Sequence, residues 1–61
     1  MTGREIVKFL QRHGWSILRQ HGSHVRMGHG AKRTTIPLHG HQDVKAGTLA
    51  SIERQTGIKL K

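Results

Sequence analysis

Cysteine and tyrosine are absent from this 61-residue chain, and proline, phenylalanine and tryptophan occur once each. Without cysteine, neither a disulfide framework nor a thiolate zinc site can staple so short a chain. A domain of this size buries only about 60% of the surface its unfolded chain exposes, so stability has to come from one compact apolar core. Acid is scarce too. Three Asp plus Glu stand against eleven Lys plus Arg, a formal net charge of +8 at pH 7. On so small a body that field selects a polyanionic partner, nucleic acid above all; the plainer reading is a basic protein with no such partner. No apolar run approaches the roughly 20 residues of a membrane-spanning helix. The N-terminus lacks the apolar stretch of a signal peptide, so the cytoplasm is the expected location, with no membrane partner. No repeat, linker or low-complexity segment interrupts the chain, and a single domain over residues 1–61 is expected.

What is present reads as five elements. Thr2 and Glu5 have the spacing of a reciprocal capping box, and Ile6, Phe9 and Leu10 form an apolar stripe at helical spacing, flanked by Val7 and His13. Gly14 stands where that helix would end. Trp15 to Gln20 reads as a strand with poorly separated faces: Trp15 and Ile17 share one side and Leu18 lies on the other. Trp15 suits either a core position or a platform for a nucleic-acid base, and core is the better reading for a lone Trp beside a glycine. From His24 to His29 the alternation is cleaner, with Val25 and Met27 inward and His24 and Arg26 outward. A glycine-rich turn over Gly28–Ala31 leads into a third strand, Lys32 to Ile36, with Thr34 and Ile36 inward, and Pro37 stops it or marks an edge. A polar loop from Leu38 to Asp43 precedes a second helix that carries Leu49 and Ile52, with Ala46 and Thr56 as further candidates for its inner side. That helix ends at Gly57 and starts near Val44 or Thr48, with Asp43 a candidate cap. Ile58 is expected to pack back and the tail through Lys61 to fray. The fold class is therefore α+β, an α-β-β-β-α chain with a three-stranded antiparallel sheet and both helices on one face.

The stretch Gln20-His21-Gly22-Ser23-His24 organises the functional reading. Gly22 supplies a turn position free to take positive φ, and Ser23 can bond its local backbone. The turn delivers His24 to the rim of a bare sheet face shared with Arg26 and Arg33, with Arg19 nearby in sequence. Histidine exchanges its proton near neutrality and is the candidate acid–base group; a turn histidine that only bonds locally is the alternative. Arg19, Arg26 and Arg33 are candidates to hold a phosphate, because the planar guanidinium binds two oxygens at once. Ser23 and His39 are further candidate phosphate contacts, and His39 is also a candidate second proton-transfer group. His39 and His41, with only Asp43 as a nearby carboxylate, make a poor metal set, so neither metal nor cofactor is expected. His13, His21 and His29 read as surface residues, and Lys45, Lys59 and Lys61 as general electrostatic contacts.

Taken in order, Gly14-Trp15 through Arg19-Gln20-His21-Gly22-Ser23-His24, then Ile36-Pro37-Leu38-His39, then Gly47-Thr48-Leu49-Ala50-Ser51-Ile52 resemble the HicA family of toxins over nearly the whole chain. No single tripeptide among them is specific; the ordered set is. His21 and Trp15 stand where other basic or aromatic residues are common. The resemblance implies a double-stranded-RNA-binding-domain-like fold and a ribosome-independent mRNA endonuclease. It also implies the toxin half of a toxin–antitoxin pair, silenced by a HicB-type antitoxin, with the family's catalytic histidine falling on His24. Two other classes stay open on the residues themselves. One is a non-catalytic RNA-binding module using the same basic face; the other is an interaction domain that docks an acidic protein.

Overall fold

The computed structural model describes residues 1–60, so the expectations for Lys61 lie outside it. The order is α1 (Gly3–Arg12), β1 (Ser16–His21), β2 (His24–His29), β3 (Lys32–Pro37) and α2 (Ala46–Thr56). The three strands form one antiparallel sheet in chain order, β1-β2-β3. This is the α-β-β-β-α arrangement the sequence predicts. Among the described residues no helix is long and apolar enough to cross a membrane.

Helix α1 starts on the expected capping box. Glu5 N donates to Thr2 Oγ1 at 3.2 Å, and Thr2 N donates to Glu5 Oε1 at 2.8 Å. The Thr2 backbone N–H, and then its side chain, hold the Glu5 carboxyl below the usual carboxylate range. The buried stripe is Gly3, Ile6, Val7 and Leu10. Val7 thus takes the inner position expected for Phe9, which is half-buried and meets His13 edge-on at 4.5 Å between ring centroids. Gly14, at φ +88°, turns the chain out of the helix.

Trp15 is core, 3% exposed, and β1 begins one residue after it. The blurred faces of β1 have a definite cause. Ile17 pairs with Met27 but Arg19 pairs with Arg26, so Leu18 is the extra residue of a β-bulge. The bulge places Leu18 and Arg19 together on the outer side and returns Gln20 to the helix side, opposite Val25. Leu18 lies over Gly28, whose missing Cβ would stand 2.9 Å from Leu18 Cδ1.

Both hairpins close with two residues, Gly22-Ser23 and Gly30-Ala31. Gly22 has φ +56° and, among the described residues, no non-glycine residue has positive φ, which gives the first turn the sign pattern of type II′. Gln20, rather than Ser23, braces that turn: its Nε2 donates to Gly22 O at 3.0 Å. Ser23 contributes its carbonyl, which accepts from Leu38 N at 2.6 Å and ties the turn to the end of β3.

Val25, Met27, Thr34 and Ile36 bury the inner sheet face against Ile6, Val7 and Leu10 of α1 and Leu49 and Ile52 of α2. Thr34 is fully buried and satisfied, its Oγ1 donating to Gln55 Oε1 at 2.8 Å. Helix α2 corrects several expectations. It begins at Ala46 with Lys45 as an N-cap that makes no side-chain bond, and Ala46 is exposed. Asp43 does not cap it. Asp43 instead bridges Thr2, with Oδ1 3.5 Å from the Met1 nitrogen, and Val44 N donates to Met1 O at 2.8 Å. At the far end Ile58 packs back as expected, half-buried against the core, and Leu60 is buried as well, its amide donating to Glu53 Oε2 at 2.8 Å.

Candidate functional site

Because both helices lie on one face, the other face of the sheet is bare, and the pairing register orders what it carries. His21, His24 and Pro37 form a first row; Arg19, Arg26 and Thr35 form the next; Gly28 and Arg33 follow. Like charges directly opposite each other destabilise a sheet. The Arg19–Arg26 pair, beside a His21–His24 pair, is therefore a local cost without a folding rationale, the pattern expected where a site binds an anion. No carboxylate sits on any strand: Glu5 serves the α1 cap, Glu53 holds the Leu60 amide and Asp43 lies in the loop before α2.

At the edge of this face, where β3 meets the loop before α2, a cavity of about 420 Å³ opens. His24, Thr35 and Pro37 line its sheet side; His39, Gln42, Asp43, Val44, Lys45 and Thr48 line the rest. His24 arrives there because the Gly22-Ser23 turn makes it the first residue of β2. His39 arrives because the chain leaves β3 at Pro37 and is pinned by the Leu38–Ser23 bond. The two histidines, separated by a whole hairpin in sequence, therefore face one space. Arg26 is held next to it, with Nη1 donating to Thr35 Oγ1 at 2.9 Å, which leaves its other guanidinium donors free of the sheet.

The remaining candidates fall at different distances. Arg19 lies directly across from Arg26. Arg33 shares the face but pairs with Gly28, four residues along β2 from His24, which is about 13 Å at the usual strand rise. Its Nη1 is turned to the β2–β3 turn, donating to Gly30 O and Lys32 O at 2.8 and 2.7 Å. Ser23 is exposed in the turn itself, and Gly22 has open space around the position of a Cβ. His13 and His29 bond backbone carbonyls, of Phe9 and Gly14 respectively, away from the cavity. Gln42 and Thr48 are cavity residues to which sequence reasoning gave no functional part, and Lys45, expected only as a general electrostatic contact, lines the cavity too. Their signal was lost with the start of α2, which no capping residue marks. Among the described residues no three His, Asp or Glu side chains are gathered as a metal site.

One known family matches this chain. The model described as HicA toxin of bacterial toxin-antitoxin covers residues 3–58 of the 61. No curated protein and no solved structure matches it.

Proposed function

The chain belongs to the HicA toxin family and is the toxin of a toxin–antitoxin pair; on that premise we propose that it is an endoribonuclease acting on mRNA, with His24 and His39 as its proton-transfer pair. The observation that supports this reading best is that His24 and His39 line one cavity beside a face whose strands carry arginines and no acid. RNA brings its own nucleophile, the 2′-hydroxyl next to the phosphorus it attacks. The protein has to orient that pair, move two protons and stabilise charge. His24, on the rigid end of β2, takes the 2′-hydroxyl proton as the oxygen bonds to phosphorus. The bond from phosphorus to the 5′-oxygen breaks, and His39, on the opposite wall, returns a proton to that leaving oxygen. The products are a 2′,3′-cyclic phosphate and a 5′-hydroxyl end, with no proton gained or lost overall. Arg26, braced by Thr35, holds the non-bridging oxygens where charge builds, and Arg19 holds the adjoining phosphate. Arg33, further along the face, contacts the strand beyond the scissile bond.

The test is cleavage of a labelled RNA beside equilibrium binding. His24→Ala is expected to slow cleavage by roughly 100-fold or more, the usual contribution of a positioned acid or base, while RNA affinity falls little. Arg26→Ala weakens binding in a salt-dependent way, because a phosphate contact is lost. DNA of the same sequence stays uncut. If His24→Ala cuts as fast as the parent, the mechanism is wrong; if RNA binds but the parent never cuts it, the chain is a binding module.

A further inference from the structure

Strand β1 is an exposed edge of the sheet. It pairs with β2 on one side only, and all six of its residues are exposed. Ile17 and Leu18 are the large hydrophobic residues that the fold leaves exposed, at 47% and 50%. The bulge sets them on opposite sides of the strand, Ile17 on the helix side and Leu18 on the outer side, so apolar surface flanks the edge above and below. On the helix side α1 does not reach over β1. A groove of about 200 Å³ remains there, with Val7, Ile17, Val25 and Leu38 as its apolar lining and Arg4 and Lys8 as its cations. On the outer side Arg19 follows Leu18. Alternate N–H and C=O groups along an edge strand face solvent and are ready to pair with an added strand.

From this edge we infer that β1 takes an extended segment of the antitoxin as a fourth strand, a segment in which apolar and acidic residues both recur. The backbone ladder supplies the register and the side chains supply the choice of partner. An apolar side chain enters the groove beside Ile17, with a carboxylate reaching Arg4 or Lys8; on the other side an apolar residue covers Leu18, with a carboxylate reaching Arg19. Charge decides against a second copy of this chain as the occupant. Two bodies of net charge +8 would meet, with arginine and histidine along both edges. The inference rests on the toxin–antitoxin reading but not on the ribonuclease chemistry. Ile17 belongs neither to the cavity nor to the arginine face.

Hydrogen exchange on the complex with the cognate antitoxin, compared with the free toxin, reads the edge directly. The solvent-facing amides of β1 are expected to become protected in the complex. Ile17→Asp is expected to weaken antitoxin binding by roughly tenfold or more, the effect of losing a buried apolar anchor. Its cleavage of RNA stays at the parent rate. Ile17→Ser, milder at an exposed position, is measured beside it, with circular dichroism confirming that each variant is folded. Unchanged β1 exchange in a formed complex overturns the inference, and so does full antitoxin affinity in both variants. A β1-mediated dimer of the toxin alone would overturn the choice of occupant. Failure of the parent to cut RNA would sink the ribonuclease reading and leave these measurements intact.

Discussion

The same substitution, glycine to alanine, is expected to act with opposite signs at two helical positions of this molecule. Gly3 opens α1 and is buried against the end of β3. A Cβ there would overlap the Pro37 carbonyl oxygen and stand 3.0 Å from Leu38 Cδ2 and 3.1 Å from the Pro37 carbonyl carbon. Two of those atoms are backbone and cannot rotate away, so α1 or the end of β3 has to move. Alanine in a helix interior gains up to about 1 kcal/mol over glycine. Forcing an extra carbon into a packed contact costs about 1–3 kcal/mol. At the first helical position the propensity gain is smaller than in the interior, so the clash wins and Gly3→Ala loses roughly 1–2 kcal/mol. For a domain this small, each kcal/mol moves the melting temperature by roughly 4–8 °C, so a fall of about 5–15 °C is expected. Gly47, in the first turn of α2, has nothing within 4 Å of its Cβ position. Gly47→Ala meets no clash, so the reduced first-turn gain of about 0.5 kcal/mol acts alone and it is expected to melt up to about 4 °C higher. Thermal melting followed by far-UV circular dichroism, with urea denaturation alongside, reads both variants. A Gly3→Ala protein as stable as its parent would refute the close approach of α1 to β3. Leu38 and His39 directly follow the carbonyl that the added Cβ would displace, so cleavage by Gly3→Ala should fall as well.

Two further changes probe other local features. Gly22→Val forces a β-branched residue into φ +56° and should lower the melting temperature through the backbone alone, since open space surrounds the site; unchanged melting and full cleavage would mean that the turn tolerates another geometry. Thr2→Ala removes the cap of α1 and should cost about 1 kcal/mol at neutral pH in urea denaturation. Glu5 titrates below its ordinary value when folded, so its contribution is complete above the carboxylate range of the unfolded chain and disappears as pH falls through the lowered folded value. The stability gap between the parent and Glu5→Gln should therefore close in acid, and a gap independent of pH would show that the carboxylate is not held by the Thr2 amide.

Local signals were readable where one residue type has one use. Thr2 and Glu5 announced the cap, Gly14 and Gly57 the helix ends, and the alternation of β2 and β3 put Val25, Met27, Thr34 and Ile36 inside. Strand β1 blurred because a bulge adds a residue without leaving a mark in composition. The start of α2 blurred because Lys45 caps it by backbone geometry alone, while Asp43, the residue that looked like a cap, is taken by the N-terminal segment. Phe9 was expected inside because it shares helical spacing with Ile6 and Leu10, but Val7 takes the buried place and Phe9 is half-buried against His13. For the candidate site, the outward row of His24 and Arg26 follows from alternation, and Arg19 joins it through the bulge. The meeting of His24 and His39 does not follow from either stretch of sequence. It depends on Leu38 N bonding Ser23 O and on the 42–48 segment closing the far wall.

That far wall sets a schedule for synthesis. The sheet is made entirely from neighbours in the chain, through two hairpins of minimal length, so β1, β2 and β3 can pair as soon as Pro37 has emerged. His24 and the arginines would then be arrayed on a formed surface, yet Gln42, Lys45 and Thr48 come later, and α2 with Leu49 and Ile52 later still. A growing chain thus carries the basic face before it has the enclosure beside it. On the proposed chemistry, the protein becomes able to cut only once the 42–48 segment and α2 have joined the sheet.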